Sequence, residues 1–275
     1  MNFDLYGFGP ALAAGMLMTL QLALSALCLG LVLGLLGALA KTSPNRALQW
    51  LGGTYSTLVR GIPELLWVLL IYFGTVSSMR ALGQLFDIPN LSLSAFAAGV
   101  IALGLCFGAY ATEVFRGAML SIPKGHREAG LALGMSRSRI FFKLVMPQMW
   151  RIALPGLGNL FMILMKDTAL VSVIGLEEVM RHAQIAVTST KQPFTFYMVA
   201  ALMYLCMTAL SMIGLAWLEK RASVGLQGAR HELGIRPQVA AEAAAWCNGD
   251  AGAGRRRGDR RAHPRHSAGH RSRLA

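Results

Sequence analysis

Charged residues are scarce in this chain: they make up 14% of its 275 residues, where soluble domains carry about 25%. That deficit disfavours an ordinary soluble globular class before any motif is read. Cysteine is also sparse. Cys28, Cys106, Cys206 and Cys247 show no C-x-x-C spacing and no disulfide framework; the first three fall in apolar stretches and read as small buried hydrophobes. No G-x-x-x-x-G-K-[ST] loop is present, so the chain does not bind ATP in that manner. G-x-S-x-G and H-E-x-x-H are likewise missing, as is any paired-carboxylate constellation in a soluble domain. No catalytic apparatus is recognisable. The first apolar segment carries Thr19 and Gln21 and has no A-x-A site before a soluble domain, so it reads as retained rather than as a cleaved signal.

What the chain has in abundance is apolar length. Hydrophobic residues form 55% of it, and candidate spans fall at about 11–40, 58–79, 92–115, 152–175 and 195–218. Each is long enough to cross a hydrocarbon core about 30 Å thick. The expected fold class is all-α integral membrane, with about five transmembrane helices in residues 1–230. The net charge of +13 is not a nucleic-acid footprint. Residues 231–275 hold nine Arg against four acids, and most of the remaining excess lies in short loops. Lys41, Arg46, Arg60, Arg116, Lys124, Arg127, Arg137, Arg139, Lys143 and Arg151 fall on one side of the predicted spans; Arg80, Arg181 and Lys191 fall on the other. By the positive-inside rule the 116–151 loop is expected in the cytoplasm, with the N-terminus outside and the C-terminus inside.

Span one carries Gly30, Gly34 and Gly37 with Ala26 and Ala38, a small-residue face on which another helix can pack closely. Arg60-Gly61-Ile62-Pro63-Glu64 opens span two, where Gly and Pro are expected to break or kink the helix start. At the end of span three, Glu113 and Arg116 are three apart and share a helix face. They read either as a satisfied structural pair or as a gating contact that changes partners. Residues 121–149 read as two short helices: Pro123 near the start of the first, Gly134 as the interruption, Ser136 as cap of the second, and Pro147 as the end before span four. Such an elbow suits docking into another protein's groove.

Lys166 and Asp167 fall well inside span four, and ionisable groups at that depth need a partner or a water-filled cavity. Neighbours on a helix point about 100° apart, so a direct mutual pair is not assured. An amino-acid zwitterion with a basic side chain needs a cation and several acceptors; Lys166, Asp167 and Glu64 supply those charge types. An interhelical polar network is the alternative role. Glu64 is expected near the cytoplasmic end, at odds with a shell shared with Lys166. Glu177, Glu178, Arg181 and His182 fall on the predicted outer loop, as solvated charge or as a docking surface for a binding protein. Beyond residue 230 the chain turns Ala-, Gly- and Arg-rich and reads as a basic, disordered tail suited to anionic lipid. His263, His266 and His270 do not make a metal site there.

These motifs form an ordered series: RGIPELLWVLLIYFG at 60–74, GAYATEVFRGA at 108–118, SIPKGHREAGLALGMS at 121–136, ALPGLGN at 153–159, LMKDTALVSVIGLEEVM at 164–180, QPFTFY at 192–197 and LEKRASVG at 218–225. The series resembles the permease subunits of ABC importers for polar amino acids, most closely the histidine/lysine/arginine/ornithine type. Gly130 replaces the second Ala of the family's EAA pattern, and Leu144 and Met146 stand where Ile and Leu are usual. The resemblance covers about residues 1–230 and leaves the tail without a counterpart. It implies a multi-pass subunit of the bacterial inner membrane that binds no cofactor itself, with ATP and Mg on a partner ATPase. It also implies a homologous second permease (a homodimer being the alternative), two ATPase subunits and a periplasmic amino-acid-binding protein, with no nucleic-acid partner. The residues carried over to ATPase coupling are Pro123, Gly125, Glu128, Ala129, Gly130, Gly134 and Pro147. Transport of other polar amino acids or opines is the alternative within the class; an ion-coupled secondary transporter and a membrane scaffold are the rivals outside it.

Overall fold

The computed structural model describes the backbone of residues 5–86 and 93–232, and the side chains of residues 5–79 and 93–221. Arg80, Cys247, the tail histidines and residues 233–275 fall outside these limits. Nine α-helices follow one another among the described residues: α1 (Gly9–Thr42), α2 (Arg46–Gly61), α3 (Glu64–Phe86), α4 (Ala95–Ser121), α5 (Lys124–Ala132), α6 (Arg137–Ile140), α7 (Met146–Asp167), α8 (Val179–Thr190) and α9 (Pro193–Glu232). A π-helical turn (Phe141–Val145) joins α6 to α7, and a 3₁₀ segment (Thr168–Ile174) follows α7. Among the described residues, four helical segments are long and apolar enough to cross a membrane, five when α2 and α3 count as one broken span.

Local chemistry explains most of the boundaries. Pro44 cannot continue α1, and the Asn45 side chain then accepts from the Ala47 amide at 2.9 Å to cap α2. Ile62 and Ile122 both precede proline, which drives a residue out of the helical region; both are extended, and α2 and α4 stop there. At Ile62–Pro63 the chain bends by 105° between α2 and α3. The stretch between the expected spans one and two is therefore largely a helix, and span two is preceded by a separate helical arm.

Helix α4 lies at the centre. Its small residues meet those of α1 at backbone range: a Cβ on Gly34 would lie 2.6 Å from the Ala111 Cβ, and one on Gly30 would lie 3.0 Å from the Gly104 carbonyl oxygen. Dispersion between closely fitted helices is the main attraction available in lipid, where apolar burial drives little association. Leu17, Leu24, Val32 and Leu36 leave the opposite face of α1 apolar and exposed on the isolated chain. A second apolar cluster joins Leu12 and Ala23 of α1, Met165 of α7, Val179 and Ala183 of α8, and Phe196 of α9. Cys106 is buried as expected, whereas Cys28 and Cys206 are exposed. Both lie on helix faces that no other described residue covers.

The elbow has the expected helix–Gly–helix form, with Gly134 at φ +69°, a conformation that favours glycine. Two details differ from expectation. Ser136 occupies the N-cap position of α6 with extended backbone, but its hydroxyl makes no capping bond. Pro147 does not end the segment: it sits in the first turn of α7, and helix runs from Arg137 to Ile174. Because helix already precedes it, Pro147 is accommodated by the π turn just upstream, whose wider backbone spacing makes room ahead of the ring. The Gln148 side chain donates to the Leu144 carbonyl at 2.8 Å at this irregular turn.

A Gly34→Val substitution should push α1 off α4 and cost about 1–3 kcal/mol, as overpacking does. Thermal unfolding followed by size-exclusion fluorescence should show a lowered midpoint. Gly117→Ala, where an added Cβ meets nothing within 4 Å, should leave the midpoint unchanged or raised.

Candidate functional site

Between α3, α4 and α7 lies a cavity of about 170 Å³. Leu103, Phe107, Leu160, Ile163 and Leu164 give it apolar walls, and Glu64, Tyr110 and Asp167 give it polar groups. Glu64 begins α3, directly after the Pro63 break, so the bend turns its side chain inward. The Tyr110 hydroxyl donates to Glu64 Oε1 at 3.1 Å. Asp167 is the last residue of α7, where the helix tightens into the 3₁₀ segment. Thr168 and Ser172 hold that segment by donating to the carbonyls of Met165 (2.8 Å) and Ala169 (2.7 Å). Among the described residues, neither Glu64 nor Asp167 forms an ion pair. Two carboxylates facing one apolar-walled space suit a cation on an aliphatic stem.

Lys166 is not brought to this cavity. It is exposed and lines a separate hollow of about 310 Å³ with Tyr197, Ala200 and Tyr204, on the other side of α7. The divergence of adjacent helical residues thus divides the three groups first considered together, and Glu64 joins Asp167 rather than Lys166.

A second polar centre lies further along α4. Glu113 accepts from Arg116 Nε at 2.9 Å, the pair expected from their spacing. It also accepts from Lys41 Nζ of α1 and, at 3.1 Å, from the Ser56 hydroxyl of α2. Arg60 Nη2 stands 3.9 Å from Glu113 Oε1. One carboxylate thereby ties three helices together. Lys41, Ser56 and Arg60 carry no sequence signal for this role, because the contacts span 72, 57 and 53 positions.

Before α8, on the loop expected to face outward, Glu177 is exposed but Glu178 is fully buried, so Glu178 is not a solvated charge. It caps α8 by accepting from the Arg181 amide at 2.9 Å and takes the Tyr204 hydroxyl of α9 at 2.7 Å. Thr19 of α1 accepts from the adjacent Val179 amide at 3.4 Å and donates to Gly15. An acid immediately before an apolar helical run is the available sequence signal. Burial pushes the Glu178 carboxyl above the ordinary carboxylate range, against the pull of the Met180 amide, Tyr204, the Arg181 amide and Thr19.

The elbow presents a different surface. Pro123, Gly125, Glu128 and Ala129 are exposed, and Leu133 and Phe142 protrude at 81% and 63% exposure. Gly130 is buried: a Cβ there would meet Ile140 Cγ1 at 2.8 Å, so the departure from a second Ala allows α5 to close on α6. Arg127, Leu131, Arg137, Ile140 and Phe141 line a groove of about 380 Å³ beside it.

A family model described as the binding-protein-dependent transport system inner membrane component matches residues 10–224. The chain belongs to this family. The permease is 42% identical over 225 residues to the histidine/lysine/arginine/ornithine transport system permease protein HisQ of Escherichia coli (strain K12), covering 82% of this chain and 99% of HisQ. It is 45% identical over 229 residues to the arginine ABC transporter permease protein ArtQ of the same strain, covering 78% and 95%. The octopine transport system permease protein OccQ of Rhizobium meliloti is 44% identical over 228 residues, covering 82% and 96%. A crystal structure of an amino acid ABC transporter with histidines superposes with a TM-score of 0.68 at 32% identity, covering 80% of this chain and 99% of that one. As a permease component of an ABC importer, the chain works beside a separate ATPase that uses ATP and a binding protein that brings substrate.

The raised carboxyl of Glu178 has a defined pH consequence. Folded Glu178 holds its proton more tightly than unfolded Glu178, so its contribution is fully present below the unfolded value and is lost as pH rises through the folded one. The thermal midpoint of Glu178→Gln should therefore improve relative to wild type as pH rises from acid to neutral, measured side by side across that range.

Proposed function

We infer that this permease imports basic amino acids, and that the cavity between Glu64 and Asp167 receives the cationic side chain. The observation that carries this reading is the pairing of two carboxylates that form no ion pair among the described residues with apolar walls that fit a methylene stem. Charged groups held in low dielectric need an opposite charge, and a guanidinium or ammonium supplies it. The names of HisQ and ArtQ, which cite basic amino acids, support the same substrate class.

The membrane is the bacterial inner membrane, with the N-terminus outside and the elbow of α5 and α6 in the cytoplasm, as the excess of Lys and Arg on that side supports. The elbow is the docking plug for one ATPase subunit. Its protruding Leu133 and Phe142 are flanked by Arg127, Arg137, Arg139 and Lys143, and an acid-rimmed apolar groove on the ATPase would fit them. A homologous second permease completes the pathway and carries a second elbow for a second ATPase. Closure of the ATPase pair pulls the elbows, the spans alternate between outward and inward access, and substrate leaves the binding protein for the cavity. Lys166, exposed in the hollow beside α9, is placed to meet that second permease or the pathway between the two. The 231–275 tail, with its arginine clusters, is assigned to the anionic lipid surface.

In proteoliposomes holding the full importer, Glu64→Gln and Asp167→Asn should each reduce arginine uptake by about tenfold or more, with complex assembly preserved. Unchanged uptake in both variants would remove the cavity from the transport route. Glu128→Lys should weaken co-purification of the ATPase and uncouple its activity from loaded binding protein; a variant that retains both properties would sink the docking assignment.

A further inference from the structure

Arg60 and Glu64 are four residues apart, the spacing at which a cation and an acid pair along an unbroken helix. Here they do not pair. The 105° bend at Ile62–Pro63 places them on different helices and turns Glu64 toward the cavity. Arg60 is held by three contacts, none of them Glu64: its Nε donates to the Ser56 carbonyl at 3.0 Å, its Nη2 stands 3.9 Å from Glu113, and its guanidinium carbon lies 5.9 Å from the centre of the Tyr110 ring. The same Tyr110 donates its hydroxyl to Glu64. Tyr110 thus meets the Arg60 guanidinium with its ring and the Glu64 carboxylate with its hydroxyl.

Charge along this track is unevenly divided. Glu113 faces Lys41, Arg60 and Arg116, while Glu64 and Asp167 share a cavity without an ion-pair partner among the described residues. The arginine chain is long and flexible, and Glu64 is close in sequence, so an attraction toward Glu113 is needed to keep the guanidinium out of the cavity.

We propose that Glu113 is a positioning residue for cation selection: by holding Arg60 on the α2 side of the Tyr110 ring, it leaves Glu64 without an ion-pair partner and sets the cavity's preference for a cationic side chain. This rests on the reading that the cavity takes the basic side chain. With Glu113 neutralised, Arg60 swings toward Glu64 and acts as a tethered competitor for substrate. The role goes beyond the structural tie that Glu113 makes among α1, α2 and α4, and the two roles differ in what they do to an uncharged ligand.

Citrulline, which matches arginine in shape but carries a neutral urea, separates them. Binding of radiolabelled arginine and citrulline is measured on the detergent-solubilised permease–ATPase complex, purified through a tag on this chain and freed of binding protein. Wild type should prefer arginine by tenfold or more; no preference would overturn the cavity reading, and this inference with it. Glu113→Gln should weaken arginine binding about tenfold and leave citrulline within about twofold, as expected for one nearby unit charge. Adding Arg60→Gln to that variant should restore arginine to within about threefold of wild type. Equal losses for both ligands, unchanged arginine binding, or failure of the second substitution to rescue would each overturn the proposal. Where Glu113→Gln does not assemble, Arg60→Gln alone decides: arginine should bind as tightly as to wild type or more tightly, and weaker binding refutes the role.

Discussion

The close approach of α1 to α4 is the constraint on which the rest of this permease depends. Gly30, Gly34 and Gly37 face Gly104, Phe107, Ala111 and Thr112 at distances that leave no room for a Cβ. In a bilayer the surrounding acyl chains are as apolar as any leucine, so helices associate through fit rather than through escape from water. With α1 seated this deeply, α4 becomes central, and α2, α3 and α7 each find a wall against which to pack. Both polar centres lie along α4 because α4 is the helix the others share.

Those polar centres have opposite character. At Glu113 one acid gathers cations from α1, α2 and its own helix, which fixes how the arm before span two sits on the bundle. Toward the cavity, acids outnumber cations, and the apolar walls keep the dielectric low. Separation of charge over a short distance is costly unless something mechanical maintains it. The break at Ile62–Pro63 does part of this, by assigning Arg60 and Glu64 to different helices, and Arg60 then stands 3.9 Å from Glu113. Glu178 is a third solution: a buried carboxylate satisfied by the Arg181 amide and the Tyr204 hydroxyl, joining α8 to α9 beside Thr19 of α1.

Much of this was readable in the chain. Span positions follow from apolar length, and the small-residue face of α1 from the spacing of Gly30, Gly34 and Gly37. The helix–Gly–helix elbow follows from Gly134 and the charge around it. Proline was the less dependable sign. Pro63 and Pro123 break helices as their extended predecessors require, yet Pro147 opens α7 and Pro155 lies inside it. The difference lies in the surroundings: an adjacent π turn relieves the penalty at Pro147, within a helix that is already running. Glu178, expected as solvated charge or as a docking surface, is buried instead, because α1 and α9 close over it, which no local pattern announces.

The sequence by itself determined the membrane class, the approximate spans, the elbow and the family resemblance, since these rest on composition, apolar length and ordered motifs. Which ionisable groups share a space was decided only by the tertiary structure. Glu64 meets Asp167 and not its neighbour Lys166; Arg60 is drawn to Glu113 and not to the acid four residues on. The physical reason is that charge interactions fall with distance in space. A helix sends adjacent side chains apart, and a proline bend separates residues that an unbroken helix would pair.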